Sequence, residues 1–275
     1  MNESTFFRDT ALEKNLQTAL EEGHRVWVVG DVHGFHQTMR ALLDRLNLCA
    51  HDWVVFLGDL IDRGPNSFGV LQTIREHPNM TSVLGNHEAM MLEQFHADRL
   101  AMHDMDVALW WRNGGASTVF SYERAFGLDG DGLDEVAMHE RVDEDRAWLA
   151  TLPRHIVLEK WRLVHAGYRP GQSPDDQTDD DYLWIRRPFH EASEPVDAKR
   201  TVIFGHTPTA ALPGFSIEDW GKVWYSTVVL EDGRSAAIGV DTCLFHGQDG
   251  AHHLTAFDLQ TGEVVHQARV EPRSP

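Results

Sequence analysis

Between Arg25 and Glu88, short apolar runs end three times in a glycine followed by a carboxylate or an amide. Arg25 to Val29 precedes Gly30-Asp31-Val32-His33-Gly34, Val54 to Leu57 precedes Gly58-Asp59, and Thr81 to Leu84 precedes Gly85-Asn86-His87-Glu88. A helical pattern follows each. A buried strand that ends this way delivers its polar residue to the carboxyl edge of a sheet, where open α/β sheets keep their ligand sites. Three such units in succession favour a parallel sheet with right-handed crossovers and three loops converging on one edge. The central unit, GDLIDRGPNS from Gly58 to Ser67, puts Asp59, Asp62 and Arg63 on one tight loop. Gly64-Pro65 turns the chain, and Asn66 or Ser67 caps a helix running to about Glu76.

The convergent groups are Asp31, His33, Asp59, Asp62, Arg63, Asn86 and His87. Carboxylates and imidazoles gathered beside an amide suit divalent metal ions better than any single acid-base pair. Two later strand ends, His165-Ala166-Gly167 and Gly205-His206-Thr207, add two imidazoles. A lone histidine after a strand is more often simply hydrogen-bonded. Six candidate ligands on five strand ends overturn that reading.

The ordered set GDVHG, GDLIDRG, GNHE, HAG and GHT spans Gly30 to Thr207. It resembles the calcineurin-like metallophosphoesterases, most closely the bacterial and phage-type, lambda-phosphatase-like, serine/threonine protein phosphatases. The resemblance implies an α/β fold, a two-sheet β-sandwich flanked by helices on both faces. It also implies two divalent metal ions per chain, manganese first, with iron, zinc or cobalt as the other choices. Asp59 is then the bridge, Asp31 and His33 complete the first metal, and Asn86, His165 and His206 complete the second. Such a pair supplies a nucleophile at neutral pH and neutralises the transferring phosphoryl group.

His87 sits beside Asn86, so its ring is freer to act as general acid toward the leaving oxygen, with Asp62 orienting it and favouring its protonated form. The family assigns that pair the same roles. Arg63 follows Asp62 and reaches a phosphate oxygen in a fork. A Trp-x-Arg element of the phage-type enzymes is matched by Trp184-Ile185-Arg186, which makes Arg186 a second phosphate clamp, with Arg187 the competing choice. Departures are Leu84 before GNHE, Ala166 in the HAG motif and Cys243 in Asp241-Thr242-Cys243. The implied substrate is a phosphorylated protein or small phosphoester. Symmetrical diadenosine-tetraphosphate hydrolases share most motifs, but typically carry Ala in place of Asp62 and end the third motif in Asp where this chain has Glu88. A metal-binding scaffold without catalysis is the remaining alternative, and such proteins usually lose ligands or the acid.

A length of 275 residues fits one domain over 1–275, with an N-terminal helix at about 5–22, a motif core at about 25–242 and C-terminal strands to about 270. The formal charge of -19 repels nucleic acid and anionic membrane surfaces. Cys49 and Cys243 are far apart in sequence and indicate neither a disulfide framework nor a thiolate zinc site. No basic start with an apolar run opens the chain and no stretch has transmembrane length, so a cytoplasmic protein is expected.

Helical spacing is expected over 36–48, 88–113 and 143–149, with a turn at Asn113-Gly114-Gly115 and a surface loop at 128–134. Strands are expected at 154–158, 161–165, 201–204, 223–230, 235–240, 254–259 and 263–270, the last two joined as a hairpin through Gln260-Thr261-Gly262. Ser173 to Asp181 holds five aspartates and reads as a solvated loop.

Overall fold

Runs such as Val26–Val29, filled with β-branched and aromatic residues and free of turn formers, are stable as strands covered on both faces. The computed structural model describes residues 8–94, 109–127, 132, 134–246 and 252–272. Its strands are β1 (Val26–Val29), β2 (Trp53–Phe56), β3 (Met80–Ser82), β4 (His155–Val157), β5 (Trp161–Val164), β6 (Thr201–Phe204), β7 (Trp224–Tyr225), β8 (Ala237–Gly239), β9 (His253–Asp258) and β10 (Val264–Ala268). They form two five-stranded sheets, ordered β10-β9-β1-β2-β3 and β4-β5-β6-β8-β7. The expected parallel core is present, since β1 pairs with β2 and β2 with β3 in parallel, in the register Val28↔Val55↔Thr81. β9 and β10 close that sheet as an antiparallel hairpin.

Alternation along the strands decides what each face meets. Val26, Val28, Val55 and Leu57 of the first sheet join Ile156, Leu163, Ile203 and Ile238 of the second in one buried cluster. That cluster is the seam of the sandwich. The helix α1 (Thr10–Glu21) adds Leu16 and Ala19 to it. The other faces of β1 and β2, with Trp27, Val29, Val54 and Phe56, are covered by α2 (His36–Leu46) and α3 (Ser67–Glu76) through Met39, Leu42, Val70 and Ile74. On the second sheet, Val202 and Phe204 pack with Leu183 and Phe189 of two short helices between β5 and β6. The architecture is therefore the expected two-sheet α/β sandwich flanked by helices.

Several boundaries differ from the sequence reading. α1 starts at Thr10 because Asp9 accepts from Ala11 N and Leu12 N, and residues 1–7 lie outside the described residues. Of the helix expected over 88–113, α4 (Asn86–Gln94) and the segment from Leu109 are described, while 95–108 lie outside. At the expected turn Asn113-Gly114-Gly115 the chain kinks, with Gly114 at φ 108° and ψ 8°, and α5 (Ala116–Ala125) starts directly after it. The helix placed at 143–149 is α6 (Glu135–Leu149), capped by Asp134 rather than Asp143. Of the 128–134 loop only Gly132 and Asp134 are described. Of the strand expected at 223–230, β7 and a bridge between Val229 and Ser235 are regular, while Ser226 N and Leu230 N donate across to Ala237 O and Arg234 O and the turn at Gly233 closes the hairpin.

The acidic stretch is corrected at its C-terminal end. Thr178 and Asp181 form a capping box that starts α7 (Asp179–Trp184), and Asp181 is buried. Asp175, Asp176, Asp179 and Asp180 are exposed as a solvated segment requires, but arginines from outside the stretch pair with Asp175, Asp179 and Asp181.

Candidate metal centre

The ends of β1 and β2 deliver Asp31, His33 and Asp59 from one sheet, while β5 and β6 deliver His165 and His206 from the other. The site straddles the end of the sandwich seam. Asp59 Oδ1 lies 3.3 Å from His165 Nε2 and Asp59 Oδ2 lies 3.5 Å from His33 Nε2, so one carboxylate faces both groups. Potential ligand atoms of His33, Asp59 and His87, and again of Asp59, His165 and His206, lie within 4.8 Å of one another. Asn86 Oδ1 is 2.7 Å from His165 Nε2 and 3.0 Å from His206 Nδ1. Asp31 sits 3.9 Å from His33 Nε2 and accepts from His206 N at 3.0 Å. All six sequence-chosen ligands are thus brought together.

Backbone strain gathers here as well. His33, Asp59, Asp62, Arg63, His206 and Cys243 all have positive φ, a conformation costly for residues with a Cβ and typical of functional sites. At Gly85 a Cβ would collide with Asp59 N and the Glu88 carboxylate, so glycine is what lets the second and third loops touch.

Glu88 accepts from Asp59 N and Leu60 N at 2.8 Å, from Gly85 N at 3.0 Å and from Ile61 N at 3.3 Å. It ties the Asp59 loop to the loop carrying Asn86 and His87. Burial first, and then the Asp59 charge, push its carboxyl up to about 7.

Beside the candidate ligands stands a second group. His87 Nδ1 is 2.7 Å from Asp62 Oδ2, and Arg63 donates to His33 Nε2 at 2.7 Å and His87 Nε2 at 2.9 Å. Burial pulls the His87 pKa down, but Asp59 and the hydrogen bond to Asp62 outweigh it and raise it. Trp110 Nε1 donates to Asp62 Oδ2 at 2.9 Å and Thr118 Oγ1 to Asp62 Oδ1 at 2.7 Å, so both oxygens of this fully buried carboxylate are fixed. Arg63 N donates to Gly114 O at 3.3 Å, and a Cβ on Gly114, whose φ is 108°, would press on Arg63 N. The Asn-Gly-Gly element thereby shapes the Arg63 loop.

Trp110, Thr118 and the bracing role of Glu88 were not found from sequence. Glu88 stood inside a recognised motif, and Asn113-Gly114-Gly115 was a signal for the neighbouring turn; nothing local marks Trp110 or Thr118. Between the two clamp choices, Arg186 Nη1 donates to Thr207 Oγ1 at 2.9 Å, next to His206, while Arg187 opens the short helix α8 (Arg187–His190).

The donor set fits divalent cations. Buried Asp31 has its pKa pushed well up, by burial first and then by Asp241 and Asp59, which a positive charge between these carboxylates relieves. Burial, the largest cause in each case, holds His33, His165 and His206 in the neutral form that ligation needs. His206 Nε2 is buried and hydrogen-bonds to nothing among the described residues. A cation is a natural partner for it.

Comparison with known proteins identifies the family. Residues 24–238 match the model of the calcineurin-like phosphoesterases. A serine/threonine-protein phosphatase 2 of Salmonella typhimurium is 30% identical over 199 residues, 66% of this chain and 78% of that protein. One of Escherichia coli is 42% identical over 91 residues, where the match spans 33% of this chain and only 38% of the relative. A symmetrical bis(5'-nucleosyl)-tetraphosphatase of Coxiella burnetii is 24% identical over 276 residues, 90% of this chain and 88% of that one. Among solved structures, a serine/threonine phosphatase of Saccharomyces cerevisiae shares the fold, with a TM-score of 0.53 and 13% identity over 96% of this chain and 90% of the other.

Proposed function

The chain belongs to the calcineurin-like phosphoesterase family, and on that premise we propose that it is a dimetal phosphomonoesterase acting on phosphoserine and phosphothreonine in proteins. The observation that carries this reading is the 2.7 Å contact between His87 Nδ1 and Asp62 Oδ2. A serine or threonine alkoxide needs a proton as its bond to phosphorus breaks, and a charged, oriented imidazole supplies one.

Asp31, His33 and Asp59 would hold one ion, and Asp59, Asn86, His165 and His206 the other. When bound, the ions supply a nucleophile at neutral pH and neutralise the phosphoryl oxygens. Carboxylate, amide and imidazole donors suit manganese, and also iron, zinc or cobalt. Arg63 and Arg186 engage the phosphate oxygens. Arg63 shares His87 Nε2 in this structure, so turning its donors to the phosphate frees that nitrogen to carry the proton for the leaving oxygen. Asp62 keeps the ring oriented and favours its charged form, while Trp110 and Thr118 hold Asp62 still.

A second reading, a symmetrical nucleoside tetraphosphate hydrolase, draws support from the similarity to the Coxiella burnetii enzyme along 90% of the chain. The Asp62 and His87 pair weighs against it, because a phosphoanhydride expels a phosphate that needs little protonation. A cytoplasmic location belongs to this proposal too; among the described residues no helix is long and apolar enough to cross a membrane.

The test is a hydrolysis panel of phosphoserine and phosphothreonine peptides, nucleotides and diadenosine tetraphosphate with manganese added. Phosphopeptides should have the highest kcat/KM. A higher value for diadenosine tetraphosphate overturns the reading in favour of the second.

A further inference from the structure

Ser173 to Asp181 carries Asp175, Asp176, Asp179, Asp180 and Asp181, a density of like charge that by itself pushes the chain apart. Yet three of these carboxylates are each matched to an arginine. Arg162, buried on β5, donates to Asp175 Oδ1 at 2.8 Å. Arg154, just before β4, grips Asp179 with two bonds of 2.9 and 3.0 Å. Arg169, in the loop leaving His165, lies 2.7 Å from Asp181. The three anchors lie just before β4, on β5 and in the loop that follows β5, the same part of the second sheet that delivers His165.

What the anchored segment leads into is the site. The Asp181 carboxylate accepts from Thr178 N and Oγ1 to start α7, and Tyr182 Oη donates back to Pro174 O. Tyr182 O accepts from Ala166 N at 2.9 Å, the residue beside His165. α7 ends at Trp184, whose ring stands edge-on to His206 with centroids 6.2 Å apart. Two residues later Arg186 bonds to Thr207. A short, stiff path therefore runs from the ion pairs through one helix to the Arg186 guanidinium.

We propose that the acidic segment is a positioning device for Arg186, with Arg154, Arg162 and Arg169 as its anchors. This rests on the reading of Arg186 as a phosphate clamp. A guanidinium fork discriminates by geometry, so a small displacement of its backbone weakens its hold on phosphate even though the side chain is intact. Tyr182 and Leu183 seat α7 in the core, and opposite charges at three further places fix the segment that leads into it.

Arg169 is exposed and Arg154 half-buried, so Tm is measured beside the kinetics to separate loss of position from loss of fold. The measurements are KM and kcat for p-nitrophenyl phosphate, inhibition by inorganic phosphate, and Tm, on the manganese-loaded full chain. Arg154→Asp and Arg169→Asp should each raise KM and the inhibition constant of phosphate about threefold to tenfold, with a smaller effect on kcat. The charge swap Arg154→Asp with Asp179→Arg should restore both constants, and Arg25→Ala, which breaks an ion pair with Glu263 elsewhere, should change neither. Unchanged phosphate inhibition in both anchor variants, or a swap that fails to restore it, overturns the positioning role. Arg186→Ala separates the two ideas: if it raises the inhibition constant while the anchor variants do not, only the positioning inference falls, and if it leaves the constant unchanged the clamp reading falls with it.

Discussion

His87 Nδ1 and Asp62 Oδ2 are 2.7 Å apart, and both side chains are buried. The pairing makes a demand that depends on the substrate. A general acid contributes about a hundredfold to ten thousandfold when the leaving oxygen is basic and far less when it is not. His87→Asn should therefore damage phosphoserine turnover much more than p-nitrophenyl phosphate turnover, and Asp62→Asn should show the same bias more weakly. Loss of metal lowers both substrates alike, so metal content is measured beside the rates. Equal losses on both substrates in a His87 variant that keeps its metals would exclude the leaving-group role.

Asp59 faces both candidate metal groups, at 3.3 Å from His165 Nε2 and 3.5 Å from His33 Nε2. The parent protein should bind two divalent ions per chain, and chelation should abolish activity and lower Tm by removing ligands that favour the folded state. Asp59→Asn removes the shared charge and should weaken both sites by more than about a hundredfold. Elemental analysis after manganese loading checks this, and one ion or none in the parent would contradict it.

Arg63 and Arg186 supply planar donors on the two sides of the site. Either change to alanine should weaken inhibition by inorganic phosphate by about tenfold or more, the scale of a charge-assisted hydrogen bond. Metal content should stay the same. Arg187→Ala is the internal control; if it is the damaging change, the Trp-x-Arg correspondence is off by one residue.

Removing the Glu88 carboxylate leaves the backbone N–H groups of Asp59, Leu60 and Gly85 without their acceptor. Glu88→Ala should cost about 3 kcal/mol of stability before any metal is added. Thermal unfolding of the metal-free protein reads this directly. An unchanged Tm would mean that the loops hold together without it.

Burial works against ionisation of Asp197, but the hydrogen bond from Arg162 Nε outweighs it and holds the carboxyl below its ordinary range. A depressed pKa contributes stability above the unfolded value and loses it as pH falls through the folded one. Asp197→Asn should therefore destabilise the protein at neutral pH, and the gap should close progressively below about pH 4. Urea unfolding at neutral and acid pH tests the sign; a constant gap contradicts it.

The sequence by itself determined the parallel core, the strand-end loops and the residues that meet at the site, from Asp31 to His206. These signals are contiguous: an apolar run, a glycine and a carboxylate within a few residues dictate strand, turn and direction. The tertiary structure alone decided how these groups are braced. Trp110 reaches Asp62 from 48 positions away, and no short-range pattern encodes that contact. The acidic segment shows the same division. Three of its five aspartates find partners in Arg154, Arg162 and Arg169, which lie in other elements, and no local pattern shows which charges folding brings within a few ångströms of an opposite one.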